Sequence, residues 1–216
     1  MRIQVSAFRW VPPFARGYVR DLRVRWALEE AGLPYEAVLI DGQVQGFPDY
    51  RHWQPFGQVP AYRADGVEMF ESGAIVLHIA ARSEALAPKD PAGWARVMTW
   101  VFAALNSVEP HVQGLAQIDI FHAGEAWTTE RRPQVVGMIE KRLAALSTWL
   151  EGRDYLEHRF TAGDLMMTTV LRAIKDDAIL ARFPVLDDYR RRCESRPPFR
   201  RALDAQLRDF QEAMSS

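Results

Sequence analysis

The sequence predicts a small α/β domain followed by an all-helical domain, and three observations carry this prediction. Short apolar runs bounded by turn residues fill the first part of the chain and indicate strands that alternate with helices. Asp65-Gly66 separates two of these runs, which is a strong hairpin signal. From Pro91 onward, apolar residues recur at spacings of three and four, as amphipathic helices require. The predicted domains are 1–83 and 91–216, joined by a linker at 84–90.

The first domain has the predicted order β-α-β-α-β-β-α. Residues 3–8 alternate apolar and polar, which is a strand pattern. The first helix ends at Gly32, and Pro34 just beyond it is part of the usual stop signal. The full set of predicted elements is strand 3–8, helix 22–31, strand 35–40, a short helix 48–53, strands 59–63 and 67–70, and helix 72–82. A long cationic and aromatic loop, 10–21, precedes the first helix, and long ordered loops are often functional.

The second domain is predicted to contain only helices. The first of them ends near Pro110, and another begins with Pro133 in its first turn and ends at Gly152. Residues 111–132 fit no single pattern. Thr161 and Asp164 form a capping-box signature at the start of the next helix, with Asp in place of the usual Glu. Further helices are predicted at 177–182, 185–195 and 199–210.

Composition excludes several classes of function. The net charge of -1 gives no reason to expect a nucleic-acid or anionic-membrane partner. The single cysteine, Cys193, rules out an internal disulfide and fits a reducing compartment. No run approaches the ~20 apolar residues that span a bilayer, and residues 1–10 do not resemble a signal peptide, so we expect a cytoplasmic protein. The five histidines lack metal-ligand spacing, so no metal is expected.

Two short segments suggest a binding site for a small peptide. Val59 precedes a proline, which favours extended geometry, and the Val59-Pro60 bond is of the kind that can be cis. Ser72 is predicted to be the N-cap of helix 72–82, where bare N–H groups form an anion site. A strand edge that offers backbone groups, beside a helix start that binds anions, suits a peptide carrying carboxylates. Equally, Val59-Pro60 could open an ordinary strand, and Ser72 could only cap its helix.

Four segments together resemble the cytosolic glutathione S-transferases: 23–36, 55–60, 71–75 and 160–164. The likeness covers nearly the whole chain. It implies a thioredoxin-like first domain and glutathione as co-substrate. By this resemblance the backbone of Val59 binds the cysteinyl part of glutathione, and Gln58 reaches the glycyl carboxylate. Glu71 and Ser72 hold the γ-glutamyl end, while the structural residues are Pro60, Thr161 and Asp164.

The resemblance leaves the catalytic group open. The family stabilises the glutathione thiolate with a hydroxyl or thiol just after the first strand, and the usual Ser-x-x-Ser is missing here. Tyr18 is the first candidate and Arg16 the second, while backbone amides could also serve and Tyr18 could simply pack at the start of the helix. No cysteine lies in residues 1–192, so no protein thiol can attack from this loop.

The acceptor substrate is expected where the helical domain faces the first domain. Trp10 and Phe14 from the loop, with Phe102 and Asn106 from the first long helix, are the expected lining. Phe102, Asn106 and Glu109 would form one stripe of an α-helix, unless Phe102 belongs to the core and Glu109 is exposed. The resemblance implies a homodimer that conjugates glutathione to a small electrophile or reduces an organic peroxide. The alternative is a binding module that holds glutathione, or a partner, without catalysis.

Overall fold

A computed structural model describes residues 2–212 of the chain, with side chains described up to residue 210. These residues form two compact units, one made of 2–89 with 195–212 and the other of 90–194. The last helix, Pro197–Glu212, falls in the predicted domain 91–216 but lies in the first unit of the structure.

The first unit has the expected thioredoxin-like architecture. Its elements are β1 Ile3–Phe8, α1 Asp21–Ala31, β2 Tyr35–Ile40, α2 Pro48–Trp53, β3 Ala61–Ala64, β4 Val67–Phe70 and α3 Ser72–Ala80. The sheet order is β2-β1-β3-β4, in which β1 and β2 are parallel and the other pairs antiparallel. Strand β3 begins two residues later than predicted because Pro60 has no N–H for a ladder hydrogen bond.

Local signals account for the ends of α1. Gly32 adopts the left-handed conformation, with φ of 65°, and the amide of Leu33 donates to the carbonyl of Leu28 at 2.9 Å. Such an ending satisfies helix carbonyls that otherwise lack partners. All residues from Asp21 to Leu28 are buried, so α1 has almost no solvent-facing side in its first two turns.

The second unit is entirely helical in its described residues. It contains α4 Pro91–Phe102, a π-helical segment Ala103–Val108, α5 Glu109–Ala116, a second π-helical segment Gln117–Phe121, α6 Ala126–Leu150, α7 Ala162–Arg172, α8 Asp177–Leu180 and α9 Pro184–Glu194. The last helix of the chain, Pro197–Glu212, is α10. No helix in residues 2–212 is both long enough and apolar enough to cross a bilayer.

The observed helix boundaries differ from the predicted ones at three prolines. Pro110 does not end a helix but occupies the first turn of α5, where a missing N–H costs nothing. Pro133 lies inside α6, which begins seven residues earlier than predicted. The buried side chains of Val135 and Ile139 hold α6 in place beyond it. Pro197 opens α10, which begins two residues earlier than predicted.

Helix α10 packs on α1, which explains its place in the first unit. The rings of Trp26 and Phe199 meet edge to face at 4.8 Å. Arg196 donates two hydrogen bonds of 2.7 Å to the Glu30 carboxylate, a bidentate pair. These contacts join parts of the chain far apart in sequence, so no local pattern could indicate them.

The predicted capping box at the start of α7 is present. Thr161 accepts from the amide of Gly163, and the amide of Thr161 donates to Asp164 Oδ2 at 2.8 Å. Asp164 Oδ1 also accepts from the Leu156 amide at 2.8 Å and the Tyr189 hydroxyl at 2.9 Å. Burial raises the pKa of Asp164 to about 6, against the opposing effect of these hydrogen bonds.

Candidate functional site

The segment around Val59 is fixed by a buried apolar cluster below it. The Val59-Pro60 bond is cis. The Val59 side chain is buried in a cluster with Ile40, Tyr50 and Trp53, while Gln58 next to it is exposed. The Trp53 indole donates to the carbonyl of Tyr62 on β3 at 3.0 Å. The cluster therefore anchors the segment from its apolar side and leaves Gln58 accessible to a ligand.

A chain of hydrogen bonds clamps both ends of the same segment. The amide of Ala61 donates to Ser6 Oγ at 2.7 Å, and Ser6 Oγ lies 2.9 Å from the Tyr50 hydroxyl. The Tyr50 hydroxyl donates to the carbonyl of Gln58 at 2.5 Å. Since Tyr50 uses its only proton on Gln58, Ser6 must donate to Tyr50. We call Ser6 and Tyr50 the hydroxyl relay. It ties Gln58 and Ala61, on either side of Val59-Pro60, to β1 and α2.

Burial keeps the relay in one protonation state. It raises the pKa of Tyr50, and the hydrogen bond from Ser6 opposes this only in part. The Tyr50 hydroxyl therefore stays a donor at neutral pH. Neither Ser6 nor Tyr50 was among the predicted site residues. The relay joins residues 44 positions apart, and no local signal marks it.

Helix α3 begins at Ser72 as predicted, but its N-cap is the residue before the expected one. Glu71, and not Ser72, is the N-cap residue, and it has a φ of 68° and an exposed side chain. Ser72 is the first helical residue and is buried. The first N–H groups of α3 still lack partners within the helix, so the anion site at this helix start stays a prediction.

Arg23 is the residue near this site that sequence reasoning missed. Arg23 is 5% exposed, and its Nη1 donates to Ser72 Oγ at 3.2 Å. A buried cation beside a helix N-terminus strengthens the preference for an anion. Arg23 is a polar residue on a helix whose first two turns have no exposed side. A polar residue in such a place needs a buried partner, and this was the signal that could have identified it.

The loop that precedes α1 is made of short turns. Pro13–Ala15 forms one 3-10 turn, and the Tyr18 amide donates to the carbonyl of Ala15 at 3.0 Å. The amide of Arg9 donates to the Ile40 carbonyl at 2.7 Å, which ties the loop's beginning to β2. Tyr18 is 43% exposed and Arg16 is partly buried. Both candidate catalytic residues therefore lie on an ordered loop of the first unit, and their roles remain predictions.

The candidate acceptor residues are exposed within their own units. Trp10 and Phe14 are exposed on the loop of the first unit, and Phe102 and Asn106 are exposed in the second. The alternative in which Phe102 lies in the core and Glu109 is exposed is wrong, because Phe102 is exposed and Glu109 is buried. The expected α-helical stripe is also interrupted, since the π-helical segment between Phe102 and Glu109 has a different hydrogen-bond period.

Other chemistry-bearing groups lie apart from these segments. Cys193 is fully buried in α9. His78 packs edge-on against Tyr62 at 5.6 Å, and burial lowers its pKa. Within residues 2–212, His, Cys, Asp and Glu form no group of three or more that could hold a metal ion.

Comparison with known proteins agrees with this architecture. Residues 20–88 match the model of the glutathione S-transferase N-terminal domain. The chain is 29% identical over 201 residues to the disulfide-bond oxidoreductase YfcG of Escherichia coli, covering 84% of this chain and 89% of that protein. It is 26% identical over 170 residues to human elongation factor 1-gamma, covering 75% of this chain but only 38% of that protein's length.

Solved structures extend the likeness to the whole fold. A glutathione transferase from Burkholderia graminis, with two glutathione molecules bound per subunit, has a TM-score of 0.82 and 25% identity, covering 94% of this chain and 88% of its own. One from Pseudomonas putida has a TM-score of 0.80 at 22% identity, covering 94% of this chain and 90% of its own, and is similar in fold.

A thioredoxin-like sheet with a cis-proline before β3, together with a helical unit, is the architecture that this chain shares with solved glutathione transferases. Residues 20–88 belong to the glutathione S-transferase N-terminal domain family.

Proposed function

We propose that this protein is a glutathione transferase, which binds glutathione in the first unit and uses its thiolate as a nucleophile. One observation carries the proposal. The Gln58-Val59-Pro60 segment is clamped by the hydroxyl relay, and the same unit offers the α3 start with a buried Arg23 at Ser72. A peptide with a carboxylate at each end needs these two features, an extended backbone partner and an anion site.

The proposed assignments follow the chemistry of each group. The backbone of Val59 pairs with the cysteinyl residue, and Gln58 binds the glycyl carboxylate. The γ-glutamyl carboxylate takes the Ser72 hydroxyl and the α3 N-terminus, and the charge of Arg23 supports it. Glu71, exposed beside them, takes the γ-glutamyl ammonium.

The proposed reaction begins with loss of the thiol proton of glutathione. A hydroxyl from Tyr18, or the charge of Arg16, favours the thiolate and lowers its pKa. With an electrophile, the sulfur forms a bond to carbon and displaces the leaving group. With an organic peroxide, the sulfur attacks the O–O bond and releases an alcohol, and a second glutathione converts the resulting sulfenic acid to glutathione disulfide and water. Trp10 and Phe14 provide apolar contact for the acceptor.

A second candidate is reduction of disulfides, favoured by the relative YfcG, which is a disulfide-bond oxidoreductase. The first 192 residues contain no cysteine, so the attacking thiolate would again be that of bound glutathione. It would form a mixed disulfide and release one thiolate, and a second glutathione would release the other and leave as glutathione disulfide. The alternative without catalysis is a glutathione-binding module.

One set of measurements separates these functions. Calorimetric titration with glutathione tests binding, and the ultraviolet absorbance of the thiolate gives the pKa of the bound thiol. Turnover is then measured with 1-chloro-2,4-dinitrobenzene, cumene hydroperoxide and hydroxyethyl disulfide. We expect binding, a lowered thiol pKa and turnover of at least one of the first two substrates. Turnover of the disulfide alone favours the second candidate, and binding without any turnover favours the module. Absence of binding refutes all three.

We further propose a cytoplasmic homodimer. The exposed rings of Phe56 and Phe70 meet edge to face at 6.0 Å and form an apolar surface patch, which supports an interface in the first unit. Light scattering after gel filtration measures the molar mass and tests this directly.

A further inference from the structure

Helix α10 contacts the loop that carries both candidates for the thiolate-stabilising group. Gln206, which is fully buried, donates from Nε2 to the carbonyl of Val19 at 3.2 Å and to Asp21 Oδ1 at 2.7 Å. Val19 directly follows Tyr18, and Asp21 is the first residue of α1. One side chain of α10 therefore bonds to both the end of the loop and the start of the helix that follows it.

A buried ion-pair network holds Asp21 from its other side. Arg25 Nε donates to Asp21 Oδ2 at 2.8 Å, and Arg25 Nη2 donates to Asp209 Oδ2 at 2.5 Å. Asp209 also belongs to α10, so the helix contributes at both ends of the network. Asp21 and Arg25 are buried, so each charge depends on these hydrogen bonds for its stabilisation. Gln206 is thus bonded to an acceptor that Arg25 also holds.

A second residue of α10 meets the loop on the other side of Tyr18. A Cβ atom placed on Gly17 would lie 3.2 Å from Leu203 Cδ1, and Gly17 has a φ of +79°. Leu203 therefore covers the loop backbone at Gly17, between Arg16 and Tyr18. With Gly17 covered and Val19 bonded, the backbone on both sides of Tyr18 is held by α10.

We propose that Gln206 is a positioning residue, which holds the loop so that its donor meets the glutathione sulfur. The inference rests on the proposed function. Gln206 acts through the loop backbone, and Leu203 assists it. Groups that stabilise a developing charge work only when their supporting residues hold them within a fraction of an ångström, which a loop of short turns does not ensure by itself. In this protein α10 supplies that support.

The test uses Gln206→Met, which keeps an unbranched side chain of similar length but removes the donor. We expect the pKa of the bound glutathione thiol to rise by about one unit and kcat at neutral pH to fall about tenfold, as expected for one displaced hydrogen-bond donor. KM for glutathione should change less than about twofold, because Val59 and Ser72 are untouched. The matched control is Arg201→Gln, which removes the ion pair of α10 with Glu29 on α1 without contact to the loop. It should leave all three quantities unchanged.

A second readout does not depend on activity. Hydrogen exchange of the Tyr18 amide, which donates to the Ala15 carbonyl, should become about tenfold faster in Gln206→Met and stay unchanged in Arg201→Gln. If Gln206→Met does not fold, Leu203→Ala carries the same expectation for exchange and thiol pKa.

The outcomes separate this inference from the proposed function. Faster exchange with an unchanged thiol pKa overturns the positioning role, and so does unchanged exchange. The proposed function is tested first, on the wild-type protein. It is refuted if that protein binds no glutathione or leaves the pKa of the glutathione thiol at its free value. That result overturns the proposed function, and the positioning role with it.

Discussion

Replacing Tyr50 with Phe tests the hydroxyl relay, because it removes one oxygen and keeps the ring. The aromatic contact with Trp53, at 6.1 Å, and the packing of the cluster below Val59 should survive. The Gln58 carbonyl loses its donor at 2.5 Å, and the Ser6 hydroxyl loses its acceptor at 2.9 Å. A buried polar group left without its partner costs about 1–3 kcal/mol, so we expect the free energy of unfolding to fall by about 2 kcal/mol.

The same change should weaken glutathione binding. If the binding-competent conformation of the 58–60 segment becomes about 1 kcal/mol less stable than its alternatives, its population falls to about one sixth and the apparent Kd rises about sixfold. Chemical denaturation gives the stability, and calorimetric titration gives Kd. The matched control is Tyr62→Phe, on β3 of the same sheet, whose ring packs against His78 and should keep that contact.

Two results would refute this reasoning in different ways. Unchanged stability in Tyr50→Phe would mean that the relay contributes nothing. Lower stability with an unchanged Kd would mean that the relay is real but that glutathione does not bind at the segment it holds.

Three further predictions concern other parts of the molecule. Ser72→Ala should raise Kd for glutathione about fivefold to tenfold by calorimetry and also lower the melting temperature, because the buried Arg23 loses an acceptor at 3.2 Å. Tyr18→Phe should raise the pKa of the bound thiol by about one unit if its hydroxyl is the donor, and no shift would transfer the role to Arg16, tested with Arg16→Gln. Asp164→Asn tests how the stability of the protein depends on pH. Burial raises the pKa of Asp164 to about 6. The free energy of unfolding that protonated Asp164 contributes is therefore fully present below about pH 4 and is lost as pH rises through 6. The stability difference between wild type and Asp164→Asn should therefore shrink by about 3 kcal/mol between pH 4 and pH 7, and a difference that stays constant would contradict the assignment.

The sequence predicts those features whose causes are local. Strand β1 alternates cleanly and α2 lies between a proline and a turn, so both have the predicted bounds. The capping box of α7 is a pattern of four residues and is present as expected. Val59-Pro60 and Glu71-Ser72 were recognised because each pair of residues is adjacent in sequence.

Features that depend on tertiary contacts could not be predicted in this way. The role of Arg23 could not be predicted because its partner, Ser72, lies 49 residues away in sequence. The relay of Ser6 and Tyr50, and the place of α10 in the first unit, depend on contacts of the same kind. The start of α6 was predicted wrongly because a proline usually marks a helix start. Only the buried face of α6 shows that the helix continues through Pro133.

Cys193 gives the protein a built-in reporter of unfolding. It is the sole thiol of the chain and is fully buried, so a thiol reagent can label it only after the surroundings of α9 open. Under native conditions, the labelling rate measures the free energy of that opening when reclosing is fast. The stability of the helical unit can thus be followed in the wild-type chain, with no engineered probe. Mass spectrometry of the labelled protein would then compare wild type with Asp164→Asn, whose substitution lies in the same unit as Cys193.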